Sequence, residues 1–360
     1  DRVEFRREKE GIPRFNKFLQ GYYDGSGIAK ESFDQVIQEG SLSPAMIEQG
    51  IFLDRTIEPV VFYLGFNMDD PVVGRPAGER GRKLRQAMSL VVDTGEYTRI
   101  FSNGRGVPAQ SPIPPGLFGY DPGYRNPYRQ IDLEGAKELL LEAGYPDGID
   151  PATGLPLELT FDTQDTSAQG GLRFKFFTKA WRQLGIDVKI EATNYNQFQE
   201  KVRNGSYQLF TWGWIADYPD PENFLFLLWS EMARSKSGGP NTANFQDPRY
   251  DALYVQMKSM PNGPGRRAAI EEMIAILEEE RPWIELTHSE AYALYHGWLQ
   301  DVKPFGMSFP MTKYRDLDPG LREQRRVAWN KPVIWPLYAA GVLVILLLVP
   351  GILTFMRERQ

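Results

Sequence analysis

The sequence predicts an α/β fold with a largely parallel sheet, followed by one membrane-spanning helix. Three observations carry the prediction. Between Leu157 and Phe210 the apolar period alternates strand, helix, strand, helix, strand, the order that lays helices on a parallel sheet. From Pro332 to Met356, twenty-five residues carry no charge at all. At helical rise they reach roughly 37 Å, enough to cross a hydrocarbon core of about 30 Å. Finally, 360 residues with 42% hydrophobic and 24% charged content can bury one large core or two smaller ones.

Taken in order, residues 1–66 begin with the charged run Asp1-Arg2-Val3-Glu4-Phe5, an abrupt start that suggests an earlier portion of a longer protein. Gly25-Ser26-Gly27 reads as a plain turn and the stretch Glu31 to Glu39 as helical. Val60 to Phe66 reads as a strand. Arg82 to Val92 places Leu84, Ala87, Met88, Val91 and Val92 on one helix face, with Arg82, Lys83 and Arg85 around the other. Six prolines and five glycines between Asn103 and Pro127 predict a long irregular loop. Asp132 can cap a helix that Gly144 ends.

Leu157, Leu159 and Phe161 then alternate as a strand, and Phe174, Phe177, Trp181 and Leu184 form the inner face of a helix stopped by Gly185. Ile186, Val188 and Ile190 alternate again, a helix follows from Gln197 to Arg203, and Tyr207 to Phe210 reads as a buried strand. Beyond it come an apolar helix at Phe224 to Trp229 and helices at Pro248 to Met257 and Arg266 to Glu280. A returning strand spans Trp283 to Leu294, and an irregular run leads from Asp301 to Pro319. Trp335 and Tyr338 stand where an interfacial aromatic belt would lie at the membrane helix.

Composition narrows the chemistry. No cysteine is present, which excludes a thiol nucleophile, a disulfide framework and thiolate metal sites. Net charge is −6 and Lys and Arg form no long blocks, so nucleic acid is not an expected partner. The two histidines, His288 and His296, lack partners at metal-ligand spacing and read as structural; no metal or cofactor is expected. No nucleophile elbow or phosphate loop occurs, and Asp162 and Asp165 are the one faint trace of paired acids. No catalytic residue is assigned, and the expectation is a binding protein rather than an enzyme.

The stretch Trp212-Gly213-Trp214-Ile215-Ala216-Asp217-Tyr218-Pro219-Asp220-Pro221 is the candidate site. Two indoles, a phenol and carboxylates are delivered where a strand meets a turn stiffened by two prolines, the kind of place where open α/β sheets bind ligands. The site residues are Trp212, Trp214, Asp217 and Tyr218.

The order of segments resembles the bacterial extracellular solute-binding proteins of family 5, the oligopeptide, dipeptide and nickel receptors of ABC importers. The resemblance lies in Tyr63-Leu64-Gly65-Phe66-Asn67, in Lys83-Leu84-Arg85-Gln86-Ala87-Met88-Ser89 with Val92-Asp93, and in Ala136-Lys137-Glu138-Leu139-Leu140 through Ala143-Gly144-Tyr145-Pro146-Asp147-Gly148. Leu184-Gly185-Ile186-Asp187-Val188 and Trp214 to Pro221 complete it.

It implies a two-lobed fold of the periplasmic-binding-protein type II class that closes on its ligand, with the first lobe partial here. On this reading 1–66 and 282–320 belong to the first lobe and 67–281 is the ligand-binding lobe. Residues 321–331 are then a juxtamembrane linker, 332–356 the membrane helix and 357–360 a cytoplasmic tail. In peptide-binding members the acid of the last motif holds the peptide α-ammonium, which carries over to Asp217, and the adjacent tryptophan, Trp214, helps form the pocket. Thr211 stands where some members have an arginine.

The implied function is capture of peptides or related cationic small solutes outside the cytoplasm, with delivery to ABC permease and ATPase subunits. The implied location is a bacterial inner membrane, with the globular part in the periplasm and the lipid bilayer and the missing N-terminal half of the same protein as further partners. The alternative is a structural or sensory subunit of a membrane complex that reuses the fold. Arg322, Arg325, Arg326 and Lys331 crowd the globular flank of the helix, so the positive-inside count favours the opposite orientation.

Overall fold

The computed structural model describes residues 2–6, 8, 10–302 and 314–359. The chain divides into two compact units, one of residues 1–53, 293–303 and 312–360, the other of 54–292 and 304–311. The boundaries expected at 66 and 282 differ from this division, because the strands on either side of them both join the sheet of the second unit.

That sheet has six strands: β1 (Val60–Phe66), β2 (Val107–Pro108), β3 (Glu158–Thr163), β4 (Asp187–Ala192), β5 (Leu209–Ile215) and β6 (Trp283–His288). Their spatial order is β4-β3-β5-β1-β6-β2. β4, β3 and β5 run parallel, whereas β1 is antiparallel to both β5 and β6, and β2 is antiparallel to β6. The sheet is therefore mixed. The alternating run between 157 and 210 does supply the parallel part, but β1 and β6 come from outside that run, which cannot set their direction.

The longer helices around the sheet are α1 (Glu79–Leu90), α2 (Thr94–Phe101), α3 (Leu133–Glu142), α4 (Ala168–Arg182), α5 (Tyr195–Arg203), α6 (Pro248–Met257) and α7 (Pro264–Glu280). The period of two in the strands assigns their side chains to two cores. Leu64, Phe66, Leu159, Phe161 and Leu209 pack with Leu84, Met88, Leu140, Phe177 and Trp181 from α1, α3 and α4. Val61, Tyr63, Phe210 and Trp283 pack with Phe198, Tyr250, Ile270 and Leu277 from α5, α6 and α7.

Local chemistry explains where these helices start and stop. Asp132 accepts a hydrogen bond from Gly135 N at 2.9 Å, as its position before the apolar period predicts. The unanticipated α2 has the same device, Asp93 accepting from Glu96 N at 2.8 Å. Gly185 has φ +76°, and a Cβ there would lie 2.1 Å from the Asp147 carbonyl oxygen, so this turn admits only glycine. Arg85, expected on the outer face of α1, is instead buried. Its guanidinium donates to the carbonyls of Val73 and Glu280, both at 2.8 Å, and so satisfies the frayed end of α7.

Other expectations shift for equally local reasons. Glu31 to Glu39 forms only single turns before the hairpin Ile37–Gln38 with Ser41–Leu42, because Glu39 and Gly40 both take positive φ at its tip. Gly25-Ser26-Gly27 is a strand, paired antiparallel with Ala293 to Tyr295, its first glycine lying under the Tyr295 ring. Trp283 to Leu294 splits at Ser289 into two strands of different sheets, and Phe224 to Trp229 breaks into short turns. The loop Asn103 to Pro127 contributes β2 to the sheet edge. Of the irregular run from Asp301 to Pro319, residues 303–313 lie outside the described residues.

In the first unit, Phe18 stacks on His296 at 4.2 Å and His296 on Trp298 at 4.0 Å. Most of residues 321–331, expected as a juxtamembrane linker, is helical: Pro319–Trp329 forms α8, capped by Asp318. Its Trp329 lies 5.5 Å from Trp298, Arg322 pairs with Asp24 at 2.9 Å, and Arg326 covers the Tyr22 ring at 5.3 Å. Asn330 then donates to the Gln20 carbonyl at 2.8 Å. The last helix, α9 (Trp335–Glu358), is long and apolar enough to cross a membrane, and none of its apolar window is buried.

Candidate functional site

β5 carries the site stretch further than its sequence suggested. The strand does not stop at Phe210 but runs to Ile215, so the indoles are strand residues rather than turn residues. Phe210, Trp212 and Trp214 share one face, where Trp212 stacks on Phe198 at 5.4 Å and Trp214 meets Phe226 edge-on at 5.3 Å. Both tryptophans are half-buried in core packing. Between them Gly213 pairs with Phe62, whose ring would lie 2.5 Å from any Cβ at 213.

Past Ile215 the chain turns under tight control. Ala216 N donates to the Pro59 carbonyl at 2.8 Å, tying the turn to the start of β1. Asn223, 2% exposed, then gathers three groups. Its Oδ1 accepts from the Trp214 indole at 3.2 Å and from Asp217 N at 2.8 Å, while its Nδ2 reaches Asp217 Oδ2 at 3.5 Å.

The loop's other carboxylates are committed. Asp220 takes a two-point bond from buried Arg266, at 2.6 and 2.9 Å. Glu222 accepts from Tyr254 and Tyr218. Asp217 faces no cation among the described residues, and its residue is exposed, as is Tyr218 at 44%. The carboxylate is therefore not fenced in by indoles, the arrangement its sequence suggested. A cation meeting it here would do so at high dielectric, where a pair is weak until the site is covered.

Register brings one further acid to this edge. Val60 pairs with Ile215, so Glu58, just ahead of β1, lies at the same end of the sheet as the Asp217 loop. Partial burial raises its carboxyl above the usual range. No spacing in the sequence could have revealed it, since the two segments meet only through strand pairing.

The remaining candidates are structural. Asp162 is buried against Lys201 at 2.5 Å, and Asp165 accepts from Ser167 N and Oγ and faces Arg173 at 3.7 Å. His288 and His296 are buried, bonded to the carbonyls of Val60 at 2.9 Å and Phe18 at 2.7 Å, and burial pulls each down to about 4. Among the described residues no group of His, Asp and Glu could hold a metal ion. A shallow groove lined by Lys137, Leu141, Pro146 and Gln183 lies at the end of α3, on a different part of the unit's surface from these residues.

Comparison with known proteins identifies the chain's relatives. Residues 1–236 match the family model for bacterial extracellular solute-binding proteins, family 5 (middle region). The oligopeptide-binding protein OppA of Bacillus subtilis is 25% identical over 304 residues, 82% of this chain and 50% of that protein. Di/tripeptide-binding protein 2 of Pseudomonas aeruginosa is 30% identical over 233 residues, 64% of this chain and 41% of its own length. The periplasmic binding protein DppA of Helicobacter pylori, solved with the peptide STSA, superposes with a TM-score of 0.69 at 23% identity. The superposition covers 87% of this chain and 56% of that one.

The chain thus spans about half the length of the relatives it matches. These relatives are solute-binding proteins, not enzymes. The chain belongs to the bacterial extracellular solute-binding proteins of family 5.

Proposed function

We propose that this chain is the membrane-anchored substrate-binding part of an ABC importer, capturing peptides or related cationic small solutes outside the cytoplasm and passing them to a permease. One observation carries the reading beyond family membership. Of the three carboxylates between 217 and 222, Asp220 is paired with Arg266 and Glu222 accepts from two tyrosine hydroxyls, whereas Asp217 meets only Asn223 among the described residues and is left open to a guest. Asn223 already holds its backbone, so little freedom is lost on binding. The guest's α-ammonium is the matching group, and its burial with Asp217 would strengthen the pair. The capture activity is assigned to the protein that supplies the rest of its relatives' length, which would complete the first lobe.

α9 is the proposed anchor, with residues 357–360 in the cytoplasm. Two of the four basic residues on its other flank are held on the globular unit, Arg322 by Asp24 and Arg326 by Tyr22, which weakens their weight as topology signals. Protease digestion of intact spheroplasts tests this: cleavage of the globular part supports the orientation, and full protection overturns it.

Calorimetry on the complete protein tests capture. A tripeptide with a free amino terminus should bind, and both its N-acetylated form and Asp217→Asn should bind far more weakly. Equal affinity in all three removes Asp217 from the site. A structural or sensory role in a membrane complex draws support from the docking of α8 on its own unit, only a few residues before α9. Co-isolation from native membranes with an unrelated complex, rather than with permease and ATPase subunits, would favour that role.

A further inference from the structure

Behind the second core of the larger unit, where α7 gives way to β6, the fold buries more positive charge than it pairs. Arg281 ends α7 in a left-handed conformation, φ +48°, and its side chain has no exposed surface. Its Nη2 donates to the Trp283 carbonyl at 2.8 Å and to Glu285 Oε2 at 2.9 Å. Arg129, from the turn that closes the long loop, is 9% exposed and donates to the carbonyls of Glu285 at 3.2 Å and Ser89 at 3.1 Å. The Tyr128 ring lies 5.6 Å from the Arg281 guanidinium.

Two features single out this cluster. Among the described residues, Nε and Nη1 of Arg281 and Nε of Arg129 are buried without an acceptor. Leaving such donors unsatisfied is costly, and every unsatisfied group on these two side chains is a donor. Charge is also unbalanced. Among the described residues the buried carboxylate of Glu285 pairs with Arg281 alone, Arg129 meeting only its backbone carbonyl, while the partly solvated Glu280 already faces Arg82 and Arg85, each at 3.4 Å. Glu278 accepts a hydrogen bond from the Tyr124 hydroxyl at 2.8 Å and makes no ion pair with either arginine among the described residues. Burial and the nearby Arg281 together pull Arg129 down to about 9.

We propose that Arg281 and Arg129 form a buried site for one small monovalent anion of the chloride class. A water would satisfy the donors but leave the charge, and donors with no exposed surface admit only a guest of about a water's size. The ion would fasten the end of the long loop, through Arg129, to the junction of α7 and β6, through Arg281. It would act on the stability of this unit and is independent of peptide capture.

The test uses the full chain in detergent, unfolded thermally in sodium chloride, bromide and gluconate at equal ionic strength. The midpoint should lie about 2–4 °C higher in either halide than in gluconate, whose anion is too large to enter. Glu285→Gln keeps the shape and removes the buried negative charge, so the halide shift should grow. Arg129→Gln should abolish it. Crystals grown in bromide should show anomalous density within hydrogen-bonding distance of Arg281 Nε or Nη1. Equal midpoints in the three salts, or a water without anomalous signal at that position, would overturn the assignment.

Discussion

Asp162 and Asp217 both belong to the carboxyl-end halves of parallel strands, β3 and the turn after β5, although register sets Asp162 level with Phe210 and Asp217 seven residues further along, and the fold uses the two acids in opposite ways. Asp162 points into the unit and is neutralised by Lys201 from α5. Asp217 lies just past its strand, held by Asn223 through its backbone and left without a cation. Position at the edge of an α/β sheet is thus insufficient to make a binding group. What distinguishes the second acid is that the carboxylates following it in the loop, Asp220 and Glu222, are engaged by Arg266 and two tyrosines, while Asp217 meets no cation among the described residues.

The widest separation between the two acids should appear in ligand affinity. Asp217→Asn in the complete protein should raise the Kd for a free-amino tripeptide about 100-fold or more, the usual cost of deleting one member of a desolvated charge pair. Isothermal calorimetry reads this directly. A loss under threefold would place Asp217 in the same structural class as Asp162 and end the contrast.

His288 sharpens the comparison from the stability side, since it lies next to the start of β1 and is also buried. Its folded value near 4 lies below its ordinary 6.5, so the unfolded chain binds more protons between those limits. Stability should therefore be lost as pH falls from about 6.5 to 4, by on the order of 2–3 kcal/mol. Denaturant midpoints across that range should show a steep slope in the native protein. His288→Gln should flatten it, although His296 will retain a similar contribution from the other unit. An unchanged slope in the variant would mean that burial of this ring is not what drives the acid loss.

Asn223→Ala comes next in size. It removes the acceptor shared by the Trp214 indole and Asp217 N, so the loop should loosen and affinity fall about tenfold while the charge at 217 remains. Asn223→Asp keeps that shared acceptor but sets a second carboxylate beside Asp217, which should raise the pKa of the pair and move the pH profile of binding upward. A simple packing role for Asn223 would leave that profile where it is.

How much of this could be read in the chain depends on how local each cause is. Caps such as Asp132, the stop at Gly185 and the inner faces of α3 and α4 follow from residues within a turn of one another, and they were legible. The Trp212 to Pro221 stretch could be put forward as a candidate site because its residues are contiguous. Glu58 was not, because only the pairing of Val60 with Ile215 brings it near, and the partners Arg266 and Tyr254 that commit Asp220 and Glu222 come from distant helices. The burial of Arg85 was hidden for the same reason: the carbonyls it satisfies belong to segments far from α1.

Asp162→Asn offers the smallest effect and the sharpest control. Burial raises the Asp162 carboxyl above its ordinary 3.8 despite the opposing pull of Lys201, so the environment as a whole disfavours the charge. A neutral, isosteric amide should then cost little, about 1 kcal/mol or less, since Lys201 is partly solvated and lies 3.8 Å from Glu191. The sign of the pH dependence follows from the same shift. With its folded value above the unfolded one, the native acid holds its proton longer, so its contribution to stability declines as pH rises from about 4 through the raised value. That declining component should vanish in the variant, while peptide affinity stays at the native level. If affinity instead fell with Asp162→Asn as it does with Asp217→Asn, the two acids would be one electrostatic system, and the distinction between a paired acid and a waiting one would have to be abandoned.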